Sequence, residues 1–276
     1  VCSSDLIIIS GVMVAILAAS LGDFLDIYNP FIFFTLLIFV NYGILFLLFY
    51  VFYGLLHKNK FSSLVNWADI KKEKGFLHGI IIGCLFPSFG FLIAWVFGAF
   101  EFLEARMTLE LFLFALIALF GYAFSSTIEE IIFRAYYIQE FGKTKNLEIG
   151  IALNSGLFAL IHLFNGSSFN LLWMVNLTLF GLLVNLLFTE KGHIGIAAGF
   201  HFGWNWTQTV IWGSNNSGND FGVGYGVMNF SPMGSDFETG GQWGIEANIF
   251  ITFMLLALIL WFIWRNMQKK PCPVVN

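Results

Sequence analysis

The feature that most constrains this chain is a succession of long apolar stretches separated by short polar segments. A helix needs about 20 mostly apolar residues to cross the hydrocarbon core of a bilayer. Eight stretches come close to that length or exceed it. They are Leu6–Gly22, Phe31–Leu56, Phe76–Gly98, Leu109–Glu140, Glu148–Phe164, Phe169–Phe188, His193–Trp212 and Ala247–Trp264. The sequence therefore predicts an all-α, polytopic membrane protein with about eight transmembrane helices.

The composition excludes a soluble domain with a large core. The chain has 276 residues, of which 58% are hydrophobic and only 11% are charged, whereas an average soluble domain is about one quarter charged. No internal repeat or polar domain interrupts the pattern, so we expect a single integral membrane domain over residues 1–276. The lipid bilayer is the expected environment, and no nucleic-acid partner is expected. The cysteines have no spacing typical of disulfides or of a thiolate metal site.

The basic residues predict how the helices are oriented. With a cytoplasmic N-terminus, twelve of the thirteen Lys and Arg residues fall on the cytoplasmic side, and only Arg106 falls outside. This is the distribution that the positive-inside rule requires for eight spans with both termini cytoplasmic. The loop of residues 213–246 has acidic residues but no Lys or Arg, as expected of an outside loop. The first apolar stretch lacks a basic leader, which favours a transmembrane helix over a signal peptide.

Charged residues inside the fourth predicted helix need an explanation. The segment TIEEIIFRAYY, residues 127–137, contains Glu129, Glu130 and Arg134, although a charge within a span costs a few kcal/mol on insertion scales. Glu130 and Arg134 are four residues apart on one face of a helix, so they are expected to form an ion pair. Glu129 is rotated by about 100° from Glu130. It is therefore expected to remain a free carboxylate.

Two other predicted spans carry polar side chains at a similar depth. FALIH ends at His162, and HFGWN contains His201 and Asn205 one helical turn apart. At 1.5 Å per residue, Glu129 and these three residues lie roughly 12–21 Å from the cytoplasmic helix ends. The depths overlap within the uncertainty of helix ends. The sequence therefore predicts one polar layer, around an intramembrane cavity.

A glycine pattern indicates how such a cavity is bordered. Gly195, Gly199 and Gly203 recur every four residues along the seventh predicted helix. Small residues at this spacing let two membrane helices approach closely. His201 and Asn205 lie on roughly the opposite side of the same helix. One face is therefore expected to pack against a neighbour while the other faces the cavity.

The residue types in the polar layer are suited to hydrolysis by either of two routes. In the first, Glu129 takes a proton from water with help from His162, while His201 and Asn205 donate hydrogen bonds to a tetrahedral oxyanion. In the second, Glu129, His162 and His201 bind a Zn²⁺ ion that keeps an open position for water. The residues alone leave both routes open.

Three motifs in this order resemble those of a known family. EEIIFR, FALIH and HFGWN follow the patterns Glu-Glu-x-x-x-Arg, Phe-x-x-x-His and His-x-x-x-Asn. These are similar to the motifs of the CPBP family (CAAX protease and bacteriocin-processing, or Abi) of intramembrane proteases. The resemblance covers a core of about residues 109–212. It implies an eight-helix fold with a cavity that opens toward the cytoplasm and the bilayer.

The resemblance also implies a function for each motif residue. Glu129 is the expected catalytic glutamate, acting with His162, and His201 and Asn205 are the expected oxyanion or metal partners. The expected supporting residues are Glu130, Arg134 and Phe158. The family is often called a metalloprotease family, and a metal-free glutamate mechanism is also argued for it. A divalent metal such as zinc is thus one expectation, and a metal-free site is the other.

The resulting functional hypothesis is an intramembrane endopeptidase in a bacterial plasma membrane. Its expected substrate is a hydrophobic, lipidated or membrane-anchored peptide, cut in CAAX-type processing, bacteriocin maturation or immunity. The alternatives are a non-catalytic membrane scaffold and a proton-coupled transporter, although no broken helices or paired halves typical of transporters are visible. The glycine-rich segment TGGQWGIEA, residues 239–247, resembles a stretch of bacterial family members. It is expected to be a flexible loop, with no catalytic part for Glu246.

Overall fold

The computed structural model describes residues 34–35, 37–57, 61–65, 74–143, 146–165, 169–219 and 226–268. The first predicted span, Leu6–Gly22, lies outside these residues. The labelled α-helices of the described part are α1 (Tyr42–Leu56), α2 (Gly75–Val96), α3 (Leu109–Glu130), α4 (Leu147–Ile161), α5 (Leu171–Lys191), α6 (Gly195–Trp206), α7 (Asp236–Thr239) and α8 (Ile249–Gln268). A further four-residue α-helix, Gln139–Gly142, ends the helical stretch that begins with α3. The short α7 belongs to the segment between α6 and α8, so these helices do not correspond one to one with the predicted spans.

Several described helices are suited to a bilayer. Five continuous helical segments are long and apolar enough to cross a membrane, by length and composition. They are Ile38–Leu56, Gly75–Val96, Leu109–Gly142, Leu171–Lys191 and Ile249–Gln268. The helix Leu147–Ile161 is apolar but shorter. The predicted class, a mostly α-helical membrane protein, is confirmed, while the number of eight spans stays a prediction.

The third helix continues well beyond its α-helical part. A π-helical segment, Ile131–Ile138, follows Glu130 directly, and a last turn ends at Gly142. The predicted span Leu109–Glu140 includes most of this extension. Stretches of π-helix are rare and frequently lie at functional sites. Here the change of helix type coincides with the segment that carries Glu130 and Arg134.

Helices α2 and α6 pack against each other through glycines on both sides. A Cβ atom added at Gly199 or Gly203 would lie 2.1 Å or 2.6 Å from a backbone carbonyl oxygen of α2. In return, a Cβ atom at Gly79 or Gly83 would lie 2.4 Å or 2.2 Å from a carbonyl oxygen of α6. The predicted close packing is therefore confirmed at Gly199 and Gly203. The matching glycines on α2 complete the interface.

The structure contains a two-stranded antiparallel sheet that the sequence did not predict. Strand β1 (Phe100–Ala105) lies between α2 and α3, and β2 (Met228–Pro232) lies between α6 and α7. Phe102 pairs with Phe230, and the register shifts between Phe102 and Glu104. The pairing attaches part of the predicted outside loop to the α2–α3 connection.

Helices α5 and α6 lie at the centre of the bundle. Helix α6 packs against α2, α3 and α5, and α5 also packs against α4 and α8. Helix α5 is bounded by local signals, because the Asn170 side chain accepts a hydrogen bond from the Trp173 amide and Gly192 has a φ of 72°. The charged and histidine side chains of the motifs are buried in the bundle, and Asn205 is partly buried.

Candidate active site

Glu130 and Arg134 form the ion pair that their spacing predicted. The guanidinium Nη1 lies 3.1 Å from Glu130 Oε1, and both side chains are fully buried. Arg134 Nε donates to Asn185 Oδ1 at 3.1 Å, and Nη2 donates to the Gly181 carbonyl at 3.2 Å. The guanidinium also lies 4.9 Å from the centre of the Phe158 ring. This network joins α3 to α4 and α5, which fits the supporting function expected of these residues.

The same carboxylate oxygen of Glu130 also contacts His201 on α6. His201 Nδ1 lies 2.9 Å from Glu130 Oε1. A carboxylate paired with an arginine only accepts hydrogen bonds, so Nδ1 of His201 must carry the hydrogen. In the neutral imidazole, Nε2 is then an acceptor, and it becomes a donor only when the ring is protonated. Glu130 therefore sets both the orientation and the tautomer of His201.

Glu129 has a partner that the sequence did not indicate. The Tyr42 hydroxyl on α1 donates a hydrogen bond to Glu129 Oε1 at 2.5 Å. The second oxygen, Oε2, is buried and has no hydrogen-bond partner among the described residues. Glu129 is thus oriented by Tyr42 through one oxygen, and the other oxygen makes no hydrogen bond to the described residues.

His162 lies in a 3₁₀ turn, His162–Asn165, directly after α4. Its Nδ1 atom is 2.7 Å from the Phe158 carbonyl oxygen, four residues earlier. A carbonyl oxygen is only an acceptor, so Nδ1 carries the hydrogen and Nε2 of the neutral ring has a free lone pair. The Glu129 carboxylate is close enough to interact with the charge of His162. These two groups form a candidate proton acceptor.

A cavity brings together residues from three of the sequence segments. His162, His201 and Asn205 line it, together with Ser217 and Glu246. The sequence prediction that His201 and Asn205 face away from the glycine interface is confirmed. Glu129 is not among the described residues that line this cavity, so it lies beside the cavity rather than in its wall.

Two of the lining residues lie next to helix ends. His162 directly follows α4, and Glu246 is three residues before α8. Asn205 lies in a helical stretch that continues past α6 as a π-helix to Ile211, shortly before the loop of residues 213–246. The distribution of basic residues assigned that loop to the outside. The expected opening toward the cytoplasm and the cytoplasmic termini remain predictions.

Glu246 is the functional candidate that the sequence analysis did not include. Its Oε1 atom accepts hydrogen bonds from Trp173 Nε1 at 2.9 Å and from the Ser217 amide at 2.7 Å. Burial raises the pKa of Glu246 from its ordinary value to about 7. Its segment is not the plain flexible loop that was expected. The sequence signal that could have identified Glu246 is an isolated acid placed directly before an apolar helix.

The positions of the potential ligand side chains decide whether the site fits a metal ion. Among the described residues, no three His, Cys, Asp or Glu side chains are grouped so that they could bind one ion. The set expected for zinc, Glu129, His162 and His201, therefore does not fit a shared metal in this arrangement. We derive no catalytic step through a metal.

The fold and the site together define a helical membrane protein with a cavity lined by two histidines, an asparagine and the carboxyl group of Glu246. Residues 108–207 match the Rce1-like family model, which is described as type II CAAX prenyl endopeptidase Rce1-like. The matched stretch contains every motif residue from Glu129 to Asn205. The match confirms the resemblance to the CPBP family over this stretch. The comparisons with curated proteins and with solved structures gave no match.

Proposed function

We propose that this protein is an intramembrane endopeptidase of the CAAX prenyl protease type. It hydrolyses a peptide bond in a hydrophobic, lipidated or membrane-anchored peptide. The observation that carries the proposal is the cavity shared by His162, His201 and Asn205 within the stretch that matches the Rce1-like model. Hydrolysis needs a proton acceptor for water and donors for the oxyanion, and this set of residues contains both.

Water activation is assigned to Glu129 and His162. His162 lines the cavity and has an unused lone pair on Nε2, and the Glu129 carboxylate, with its unpartnered Oε2, interacts electrostatically with His162. The pair takes a proton from water, and the hydroxide oxygen bonds to the scissile carbonyl carbon. Tyr42 orients the carboxylate during this step through its hydrogen bond to Oε1.

Oxyanion stabilisation is assigned to Asn205 and His201. Asn205 Oδ1 accepts a hydrogen bond from Asn216 Nδ2 at 3.2 Å, which leaves the Asn205 amide hydrogens available as donors. His201 is oriented by the Glu130 carboxylate at Nδ1, and its Nε2 atom donates to the oxyanion when the ring is protonated. Removing one such donor costs other hydrolases about 10²–10³ in kcat.

The substrate class is supported by the apolar part of the cavity wall. Leu177, Phe180, Ile251 and Leu255 lie next to the polar residues. Apolar walls bind aliphatic or prenyl groups and keep bulk water away from the reacting bond. We place the reaction within a bacterial plasma membrane, with CAAX-type processing, bacteriocin maturation or immunity as the biological context.

Cleavage in proteoliposomes tests the proposal. A fluorogenic farnesylated peptide and a panel of hydrophobic leader peptides would be offered to the wild-type protein and to Glu129→Gln, His162→Phe and Glu101→Gln variants. Glu101 lies on an exposed position of β1, so its variant is the matched control. We expect cleavage by the wild type and the control only. Equal cleavage by wild type and Glu129→Gln would refute the assignment of Glu129. Absence of cleavage by a folded wild type would favour the scaffold hypothesis.

A further inference from the structure

The glycine-rich segment before α8 is built around the position of Glu246. Gly240 and Gly244 have φ values of 86° and 82°, which L-residues with a side chain rarely adopt. A Cβ atom at Gly240 would lie 1.8 Å from the Gly244 carbonyl oxygen, and one at Gly244 would lie 1.9 Å from the Asn215 carbonyl oxygen. The segment thus has a compact, specific conformation, and the 3₁₀ turn Ile245–Ala247 follows it.

The backbone around Glu246 is attached to α5. Asn176 Nδ2 donates to the Glu246 carbonyl at 2.8 Å and to the Asn248 carbonyl at 3.0 Å. Thr252 in turn donates to Asn176 Oδ1 at 2.7 Å. These bonds hold the residues on either side of the carboxyl group against the bundle. The carboxyl group therefore has a defined position in the cavity wall.

The hydrogen bonds of the Glu246 side chain account for only one of its two oxygens. Trp173 and the Ser217 amide both donate to Oε1, and the Trp173 ring stacks on Trp243 with centroids 4.0 Å apart. The hydrogen bonds to Oε1 are accounted for by the anchoring of the loop. Oε2 accepts neither of these bonds and is left for the cavity, which His162 and His201 also line.

We propose that Glu246 is a further catalytic residue, the general acid that protonates the leaving amine. This inference rests on the proposed function. Hydroxide from the activated water bonds to the carbonyl carbon, and the carbonyl oxygen becomes the oxyanion. When the oxyanion collapses, the carbon–nitrogen bond breaks and Glu246 Oε2–H gives its proton to the nitrogen. The products are a carboxylic acid and an amine. Solvent then returns to Glu246 the proton that Glu129 and His162 took from water.

The surroundings of Glu246 suit this proton donation. Burial raises its pKa to about 7, so the carboxyl group still carries a proton near neutral pH. A general acid is most effective when its pKa lies near the working pH. The titratable groups that face or interact with it are His162 and His201 in the cavity and Tyr122 on α3.

The test compares the Glu246→Gln and Glu246→Ala variants with wild type and Glu101→Gln over pH 5–9. Glutamine keeps an oxygen for Trp173 and the Ser217 amide but has no titrating proton. We expect Glu246→Gln to lower kcat/KM by about 10²–10⁴ and to remove the loss of activity above about pH 7. Wild-type activity and an unchanged pH profile in a folded Glu246→Gln protein would overturn the proposal.

Two further measurements separate acid catalysis from loop anchoring. A p-nitrophenyl ester with the same acyl part has a leaving group that needs no proton, so Glu246→Gln should cleave it at nearly the wild-type rate. An equal defect on the peptide and the ester would overturn the proposal. Trp173→Phe removes a hydrogen bond that lowers the pKa of Glu246, so the alkaline limb should move to higher pH. If the alkaline limb does not move, a group other than Glu246 causes it, and the proposal is overturned.

The failure of this inference is distinguishable from failure of the proposed function. In one outcome, the wild type cuts the peptides, the Glu129→Gln variant does not, and the Glu246→Gln variant behaves as the wild type. The protein is then a protease, and only the assignment of Glu246 is wrong. If the folded wild type cuts neither peptide nor ester, the proposed function fails first, and this inference fails with it.

Discussion

Glu130 on α3 and His201 on α6 are joined by a 2.9 Å hydrogen bond, and the same Glu130 oxygen is paired with Arg134. This relationship connects the first and third sequence motifs through one atom. It also explains why the two adjacent glutamates differ in function. Glu130 Oε1 is held by Arg134 and His201, whereas Glu129 Oε1 is held by the Tyr42 hydroxyl, and the Oε2 atom of each has no hydrogen-bond partner among the described residues.

The first prediction concerns the buried pair. Glu130→Gln leaves the Arg134 guanidinium buried beside a neutral amide, and breaking such a pair typically costs about 3–5 kcal/mol. We expect a lower melting temperature in detergent and loss of activity through the misoriented His201. A double variant with Arg134→Met should be less destabilised than the sum of the single variants. Additive losses would show that Glu130 and Arg134 are not energetically coupled.

The second prediction concerns the orientation of Glu129. Tyr42→Phe removes the hydroxyl that donates to Glu129 Oε1 but keeps the ring. Hydrogen bonds to charged groups contribute about 1.5–3 kcal/mol, so we expect kcat to fall by roughly tenfold or more, with KM little changed. Tyr50→Phe is the control, because Tyr50 is on the same helix and half-exposed. A similar kcat for both variants would exclude a positioning function of Tyr42.

The third prediction concerns the α2–α6 interface. Gly199→Ala places a methyl group 2.1 Å from the Phe76 carbonyl oxygen, so the two helices must separate. Overpacking of this kind typically costs about 1–3 kcal/mol. We expect a lower melting temperature and reduced activity, because α6 also carries His201. Gly54→Ala on α1 is the control, since a Cβ atom there contacts nothing within 4 Å. Equal stability of the two variants would contradict the close packing.

What the sequence could predict depends on how local each contact is. The pairing of Glu130 with Arg134 follows from their positions within one helical stretch, and the packing of Gly199 follows from a repeat along one face. The Tyr42–Glu129 hydrogen bond joins residues 87 positions apart. It depends on how α1 packs against α3, and no periodicity within either helix specifies that.

The sheet and the Glu246 site were missed for the same physical reason. Strand β1 pairs with a strand more than one hundred residues later, and its alternation is weak because most of it is exposed. Glu246 is bonded to Trp173, 73 positions away. Its segment is rich in glycine, a composition that predicted a flexible loop. In the structure, the glycines at Gly240 and Gly244 instead have positive φ values and tight backbone contacts that a side chain would prevent.

The fourth prediction concerns metal removal. No three potential ligand side chains are grouped for one ion among the described residues. We therefore expect cleavage to continue at the wild-type rate after dialysis against a chelator. Added Zn²⁺ should not increase kcat. Loss of activity in the chelator that Zn²⁺ restores, together with one bound zinc per chain, would show that Glu129, His162 and His201 rearrange to bind metal.

The last prediction follows from the pKa of Glu246. The folded protein holds this proton up to about pH 7, whereas the unfolded chain releases it near its ordinary value of 4.5. Between these values the folded state binds more protons, so its stability falls as pH rises, by about 3 kcal/mol at most. Melting temperatures of wild type should therefore fall between pH 5 and pH 7.5 more steeply than those of Glu246→Gln. Because glutamine removes only this titration, parallel curves for the two proteins would mean that Glu246 is ionised throughout the range. In that state it could not act as the proton donor.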